Sequence, residues 1–199
     1  MEQSQTSTGP ALGVFCGAKS GNDPRWVVAA FEFGVAMARR GWRLVYGGGR
    51  IGLMGAVADG VLSAGGEAVG VIPAKLMERE LAHRGLARLE VVNDMATRKQ
   101  RMIELSDAFV ALPGGLGTLD ELFEVLTLRQ IGEHSRPAAL FDQNGYWQPL
   151  VDACRAMVEA GFVNTDDLTE LIVEPTADAL LDALERRLGE GLARRDAAA

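Results

Sequence analysis

Two histidines, two cysteines and three lysines in 199 residues are few, and each shortage closes off a line of chemistry. His83 and His134 cannot build a histidine-rich metal site, so no metal is expected. Cys16 and Cys154 do not make a disulfide framework, which predicts a reducing, cytoplasmic setting. Cys16 follows an apolar run but has no evident histidine partner, and it reads as a small packed residue. The lysines are Lys19, Lys75 and Lys99. A pyridoxal-phosphate enzyme normally needs a much larger chain as well as its lysine, so no cofactor is expected. Long apolar runs are missing too. None approaches the ~20 residues that span a bilayer, and no membrane partner is expected. The start, "MEQSQTSTGPA", lacks the basic opening and apolar centre of a signal peptide. Basic charge is in deficit: 20 Lys and Arg stand against 27 Asp and Glu, a net charge of −7. That balance argues against a general nucleic-acid binder while leaving room for one small anionic ligand.

Glycine, by contrast, is abundant at 24 residues, and it clusters at turns. Between the turns two kinds of apolar segment alternate. Short β-rich runs predict strands over 12–15, 43–46, 68–72, 108–112, 138–141 and 171–173. Helical spacing predicts helices over 26–40, 52–63, 94–106, 119–131, 146–160 and 176–188. Such alternation implies parallel strands joined by right-handed crossovers. Near-continuous apolar strands fit a sheet covered on both faces. The expected fold is α/β, a single doubly wound, Rossmann-like domain over residues 11–188 with a mostly parallel sheet flanked by helices. Residues 1–10 and 189–199 read as flexible tails. In such sheets ligands lie at the carboxyl ends of the strands.

Three turns leave strands at that end: "FCGAKSG" from Phe15, "YGGGRIGLMG" from Tyr46 and "LPGGLGTLDE" from Leu112. In the second, Gly47, Gly49 and Gly52 fit a GxGxxG spacing. The string follows the second strand rather than the first, and the next strand ends Gly70-Val71-Ile72-Pro73 without the acid that would hold a ribose. A dinucleotide fingerprint is therefore disfavoured. Two readings stay open, a tight turn with close helix–sheet packing and a backbone nest for a phosphate or ribose. No GxxxxGK[ST] P-loop occurs.

The third turn also carries two readings. Its glycines let the backbone curl close to a ligand, and the following helix presents unpaired N–H groups and a positive dipole end, which suits a phosphate. Equally, Thr118-x-x-Glu121 has the form of a capping box, with Thr118 capping the helix and Glu121 reaching back. In "NDMATRKQRMIELSDAF", Asn93 or Asp94 is the expected cap. Arg98, Lys99 and Arg101 then fall in the first two turns, where cations oppose the dipole. Arg98 also extends the stripe of Met102 and Leu105. It reads either as a snorkelling arginine or as one partnered by a ligand anion or by Glu121.

Together "YGGGRIGLMG" (46–55), "RK" (98–99) and "PGGLGTLDE" (113–121) resemble the LOG ("Lonely Guy") family of cytokinin-activating enzymes. "GVFCGAKSGNDP" and "GVIPAKLMERE" look similar as well, and the resemblance spans roughly residues 11–188. Relatives have often been labelled lysine decarboxylases, a label that fits poorly here. The resemblance implies hydrolysis of the N-glycosidic bond of a nucleoside 5′-monophosphate to free base and ribose 5-phosphate. The implied substrates are N6-modified adenine nucleotides, with AMP as a further one. It implies Arg98 and Glu121 as the catalytic pair. It implies nucleotide binding by Glu80, Lys99, Gly114, Gly115, Leu116, Gly117, Thr118, Leu119, Asp120 and Thr127, to which Gly48 and Gly49 of the other glycine turn are added. Homodimers are usual in the family. Where relatives usually read MHxRK, this chain has Met95-Ala96-Thr97-Arg98-Lys99, which puts base preference in question. The rival expectation is a nucleotide or cofactor carrier that binds without turnover.

Overall fold

A computed structural model describes residues 9–77 and 82–198, with side chains to residue 191. Seven strands are present: β1 (Ala11–Phe15), β2 (Arg43–Tyr46), β3 (Ala68–Pro73), β4 (Arg88–Val92), β5 (Ala108–Ala111), β6 (Ala138–Phe141) and β7 (Ile172–Glu174). The helices are α1 (Arg25–Arg39), α2 (Gly52–Ser63), α3 (Met95–Leu105), α4 (Leu116–Gln130), α5 (Gln148–Glu159), α6 (Thr165–Thr169) and α7 (Ala177–Ala198). None is long and apolar enough to cross a membrane.

The strands form one sheet in the order β4-β3-β2-β1-β5-β6-β7, and every pairing is parallel. The chain winds outward from β1 in one direction and from β5 in the other. The period of two along each strand sends alternate side chains to opposite faces. Leu12, Val14 and Cys16 join a core with α1, α2 and α7. Ala11 and Phe15 join a second core with residues of α3, α4 and α5. Fully burying a side chain such as Phe33 or Leu122 is worth roughly 1.5–3 kcal/mol, so the two cores hold the helices to both faces.

Glycine brings the helices on the first face unusually close. A β-carbon at Gly34 would lie 2.2 Å from the carbonyl oxygen of Val57, and one at Gly60 would lie 2.1 Å from that of Phe31. This contact between α1 and α2 seats α2 firmly against the sheet, and α2 carries one wall of the cleft described below.

The sheet agrees with the sequence reading and adds to it. β4, which was not expected, is an edge strand with a half-exposed pattern. α4 starts at Leu116 rather than Leu119. α7 runs helically through the segment expected to be a tail.

Candidate active site

The winding direction reverses between β1 and β5, and there the strand ends part to open a crevice. Two backbone hydrogen bonds set its edge. The Leu112 N–H donates to the Phe15 carbonyl at 2.9 Å, and the Gly17 N–H donates to that of Pro113 at 3.1 Å. Beyond them lies a cleft of about 580 Å³ lined from the turns after β1, β2 and β5 and from the first turns of α2, α3 and α4. The loop after β1 is held down on α2. The Leu53 N–H donates to the Gly17 carbonyl at 3.0 Å, and Gly52, at φ +64°, has no room for a β-carbon, which would sit 2.4 Å from the Ala18 carbonyl carbon.

The turn after β5 enters α4 without a side-chain cap. Gly115 is the N-cap residue and makes no side-chain bond. Thr118 is therefore in the first turn and Glu121 one turn further, so of the two open readings the capping box is not formed. The physical reason is the early start of the helix, which moves both residues past the capping positions. The first-turn amides of Leu116, Gly117 and Thr118 are left for a ligand. Thr118 is buried, and its hydroxyl fills the place a β-carbon on Gly114 would take, at 2.1 Å. Gly114, Gly115, Gly117, Thr118 and Asp120 all line the cleft. Leu116 points outward at 86% exposure, and Leu119 packs against the core on this face.

α3 supplies Arg98. Asp94 is the N-cap, accepting from the Thr97 N–H at 2.8 Å. Arg98 is only 4% exposed. Its Nη2 donates to the Gly47 carbonyl at 2.9 Å and lies 3.9 Å from Met54 Sδ, while Nη1 lies 3.7 Å from Met95 Sδ. Two thioethers, weak acceptors at best, and the Gly47 backbone oxygen are thus among the groups that surround the guanidinium. Arg98 and Glu121 line the same cleft. Both reach the Cys16 thiol electrostatically. Burial pushes that thiol far above its ordinary range, the Glu121 charge adds to the rise, and the Arg98 charge opposes it. Cys16 is accordingly a packed thiol and a poor nucleophile.

The other expected residues are placed differently. Lys99 does not line the cleft. Its Nζ lies 3.0 Å from Asp120 and 2.9 Å from Glu124, tying α3 to α4, and Glu124 first and Asp120 second hold its pKa above the ordinary value. Gly48 and Gly49 also lie off the cleft. Gly48, at φ +74°, packs against Ile72 and Leu89, and its carbonyl accepts from the His83 N–H at 2.9 Å. Gly49 forms a bridge with Ala82. In that turn the cleft residue is Gly47. Thr127 is exposed further along α4, in a separate hollow with Phe123 and Met157. Glu80 lies outside the described residues.

The cleft also contains residues the sequence reading did not single out. Lys19 is there, and so are Trp26 and Tyr146, which meet edge to face with ring centroids 5.5 Å apart. Leu53, Met54, Leu76 and Met95 make its α2 and α3 side apolar. Only the three-dimensional meeting of turns after β1, β3 and β6 reveals them.

Residues 54–184 match a sequence family described as "possible lysine decarboxylase". The chain is 45% identical over 167 residues to a cytokinin riboside 5′-monophosphate phosphoribohydrolase of Rhodococcoides fascians, covering 83% of this chain and 84% of the relative. It is 42% identical over 172 residues to one from Arabidopsis thaliana, covering 86% and 81%. Among solved structures, the molybdenum cofactor carrier protein of Chlamydomonas reinhardtii superposes with a TM-score of 0.70 at 24% identity, over 90% of this chain and 98% of that one. At that identity the likeness establishes the fold alone. The match across most of the chain to the phosphoribohydrolases is of another order, and by it this protein belongs to the LOG family.

Proposed function

We propose that the protein hydrolyses the N-glycosidic bond of adenosine 5′-monophosphates, N6-modified ones included, releasing the free base and ribose 5-phosphate. The observation that carries this reading is the convergence of Arg98 and Glu121 on the cleft that the uncapped Gly114–Thr118 turn also enters. The relatives' names point to the same reaction. The 5′-phosphate is received by the first-turn amides of α4 and the Thr118 hydroxyl. Glu121, one turn on, then faces the ribose near C1′. As the C1′–N9 bond breaks, its electron pair leaves with the base and the sugar takes on oxocarbenium character. The Glu121 carboxylate stabilises that charge and accepts a proton from the water whose oxygen bonds to C1′. The departing base gains the proton that the water gives up, by way of the Glu121 carboxyl or solvent, so the two hydrogens of the water end on the ribose hydroxyl and the base. Arg98, held by the Gly47 carbonyl, orients Glu121 or the ribose hydroxyls. Anchoring the phosphate lets remote binding energy serve the reacting centre.

The apolar side of the cleft, with Leu53, Met54, Leu76 and Met95, supports an apolar substituent on the base. We further propose a homodimer, on the strength of Phe123 and Met157, which are both exposed and share one hollow. A cytoplasmic setting is supported by two free, buried cysteines. The test is a product assay on isopentenyladenosine monophosphate, AMP, CMP and GMP, with chromatographic detection of base and ribose 5-phosphate. Release of base from the adenine nucleotides is expected. AMP binding without base release would make the protein a carrier, and carbon dioxide release from lysine would restore the decarboxylase label.

A further inference from the structure

The peptide unit joining Gly114 to Gly115 has no side chain of its own to hold it. A β-carbon at Gly115 would meet nothing within 4 Å, so sterics do not fix the outer half of this turn. Thr118 and the Gly17 amide crowd its Gly114 side, and the Gly114 carbonyl accepts from the Tyr146 phenolic O–H at 2.5 Å. The peptide is trans, as no cis bonds occur among the described residues. Its N–H therefore points opposite to its C=O. A carbonyl drawn toward Tyr146 sends the Gly115 N–H the other way.

Tyr146 is itself braced. It follows a turn with two left-handed residues, Asn144 (φ 56°) and Gly145 (φ 73°). Its ring meets Trp147 edge-on at 4.8 Å and Trp26 at 5.5 Å. Trp147 is buried, and its backbone N–H donates to the Asp142 carboxylate at 2.6 Å. The connection after β6 thus reaches across to hold the turn after β5.

We propose that Tyr146 is a positioning residue for phosphate recognition, fixing the Gly114–Gly115 peptide so that the Gly115 N–H joins the α4 amides on the anion. This rests on the reading of the Gly114–Thr118 turn as the phosphate site. Without the hydroxyl, the glycine–glycine peptide samples both orientations, and one of them presents a carbonyl oxygen to the phosphate.

The test is Tyr146→Phe, which keeps the ring and its contacts with Trp26 and Trp147. Two readouts are used, steady-state kinetics with AMP and adenosine and the rise in Tm that ribose 5-phosphate gives each protein over its own ligand-free value. The expected result is a rise in KM for AMP of about tenfold, the scale of one hydrogen bond to a charged ligand, with kcat within about threefold. The AMP-to-adenosine ratio of kcat/KM should fall by the same factor, and the ribose 5-phosphate shift should shrink. An unchanged ratio and an unchanged shift would overturn the proposal. So would a fall in kcat at constant ligand shift, which would place Tyr146 in the chemistry. Failure of the wild-type protein to release adenine would instead refute the hydrolase reading, and the ribose 5-phosphate shift would still decide the role of Tyr146.

Discussion

The Nη2 of Arg98 lies 2.9 Å from the Gly47 carbonyl oxygen, and it occupies the space a side chain on Gly47 would need. A β-carbon built there would come within 1.7 Å of that nitrogen and 3.0 Å of Met54 Sδ. The glycine at position 47 is thus a seat for the arginine, which explains one residue of the glycine-rich turn without any dinucleotide.

Gly47→Ala should therefore act on catalysis far more than on folding. The atoms in its way are the ends of two flexible side chains, so the fold yields and the guanidinium moves. A displacement of about 1 Å at a positioning group costs on the order of 10²-fold in turnover. Turnover is expected to fall by that factor with Tm lowered only a few degrees. Normal turnover in this variant would show that the Arg98 position is not critical.

Lys99 poses a different question, because it is paired with Asp120 and Glu124 rather than aimed into the cleft. Its removal leaves two carboxylates unneutralised beside the proposed phosphate site. Lys99→Met should raise KM for AMP several-fold, on the scale of a partly exposed charge. The compensated variant Lys99→Met with Asp120→Asn and Glu124→Gln should recover most of the affinity. If Lys99 instead contacted the phosphate directly, the compensating changes would restore nothing.

How much of this was legible beforehand turned on one strand. Six strands declared themselves by apolar runs, five of them largely buried and the edge strand β7 half-buried. β4, at the other edge, did not, because charged residues interrupt its apolar run. Its Arg88 and Glu90 are charged, and Glu90 is engaged by Arg101 of α3 at 2.7 Å. Without β4, the level of the sheet at which α3 begins was undetermined, and Arg98 could not be brought to Glu121. With β4 present, α3 is an ordinary crossover that starts at the carboxyl ends, and the two residues reach the same cleft as a matter of topology. The capping-box form of Thr118 and Glu121, one of the two readings the sequence left open, has a local explanation. A glycine N-cap with an open ligand site gives no side-chain signal, and the first polar pair downstream mimics one. Trp26 and Tyr146 were beyond local reading altogether, since 120 residues of chain separate them.

A pH dependence of stability is expected from His134. Burial first, then the charges of Arg136 and Arg129, lower its pKa from 6.5 to about 4. Between those values the unfolded chain holds a proton that the folded chain refuses, so acidification favours unfolding. The contribution is fully present above about pH 6.5 and is lost as pH falls toward 4. His134→Asn keeps an acceptor for the Arg136 N–H, which His134 Nδ1 now accepts at 3.2 Å, and it does not titrate. Its Tm should be flatter between pH 6.5 and 4.5 than that of the wild type. Glu90 and Asp94, whose pKa values are lowered by Arg101 and by the Thr97 N–H, contribute at still lower pH. Parallel Tm profiles for variant and wild type would remove His134 from the account.

Glu121 is where a structural and a chemical role separate most cleanly. It sits past the capping positions of α4, so Glu121→Gln should leave Tm almost unchanged. The substitution keeps size and hydrogen-bonding capacity and removes one negative charge from the cleft. If that charge stabilises the sugar cation or draws a proton from water, kcat should fall on the order of 10²–10⁴-fold. The ribose 5-phosphate and AMP affinities should stay near normal, because the amides of Leu116 to Thr118 and the Thr118 hydroxyl are untouched. Arg98→Ala should also cripple turnover, and the double variant should lose less than the product of the two single losses, since residues that act as a unit are not additive. Multiplicative losses would make them independent contributors. Near-normal turnover in Glu121→Gln would leave the cleft a nucleotide site without its catalytic carboxylate.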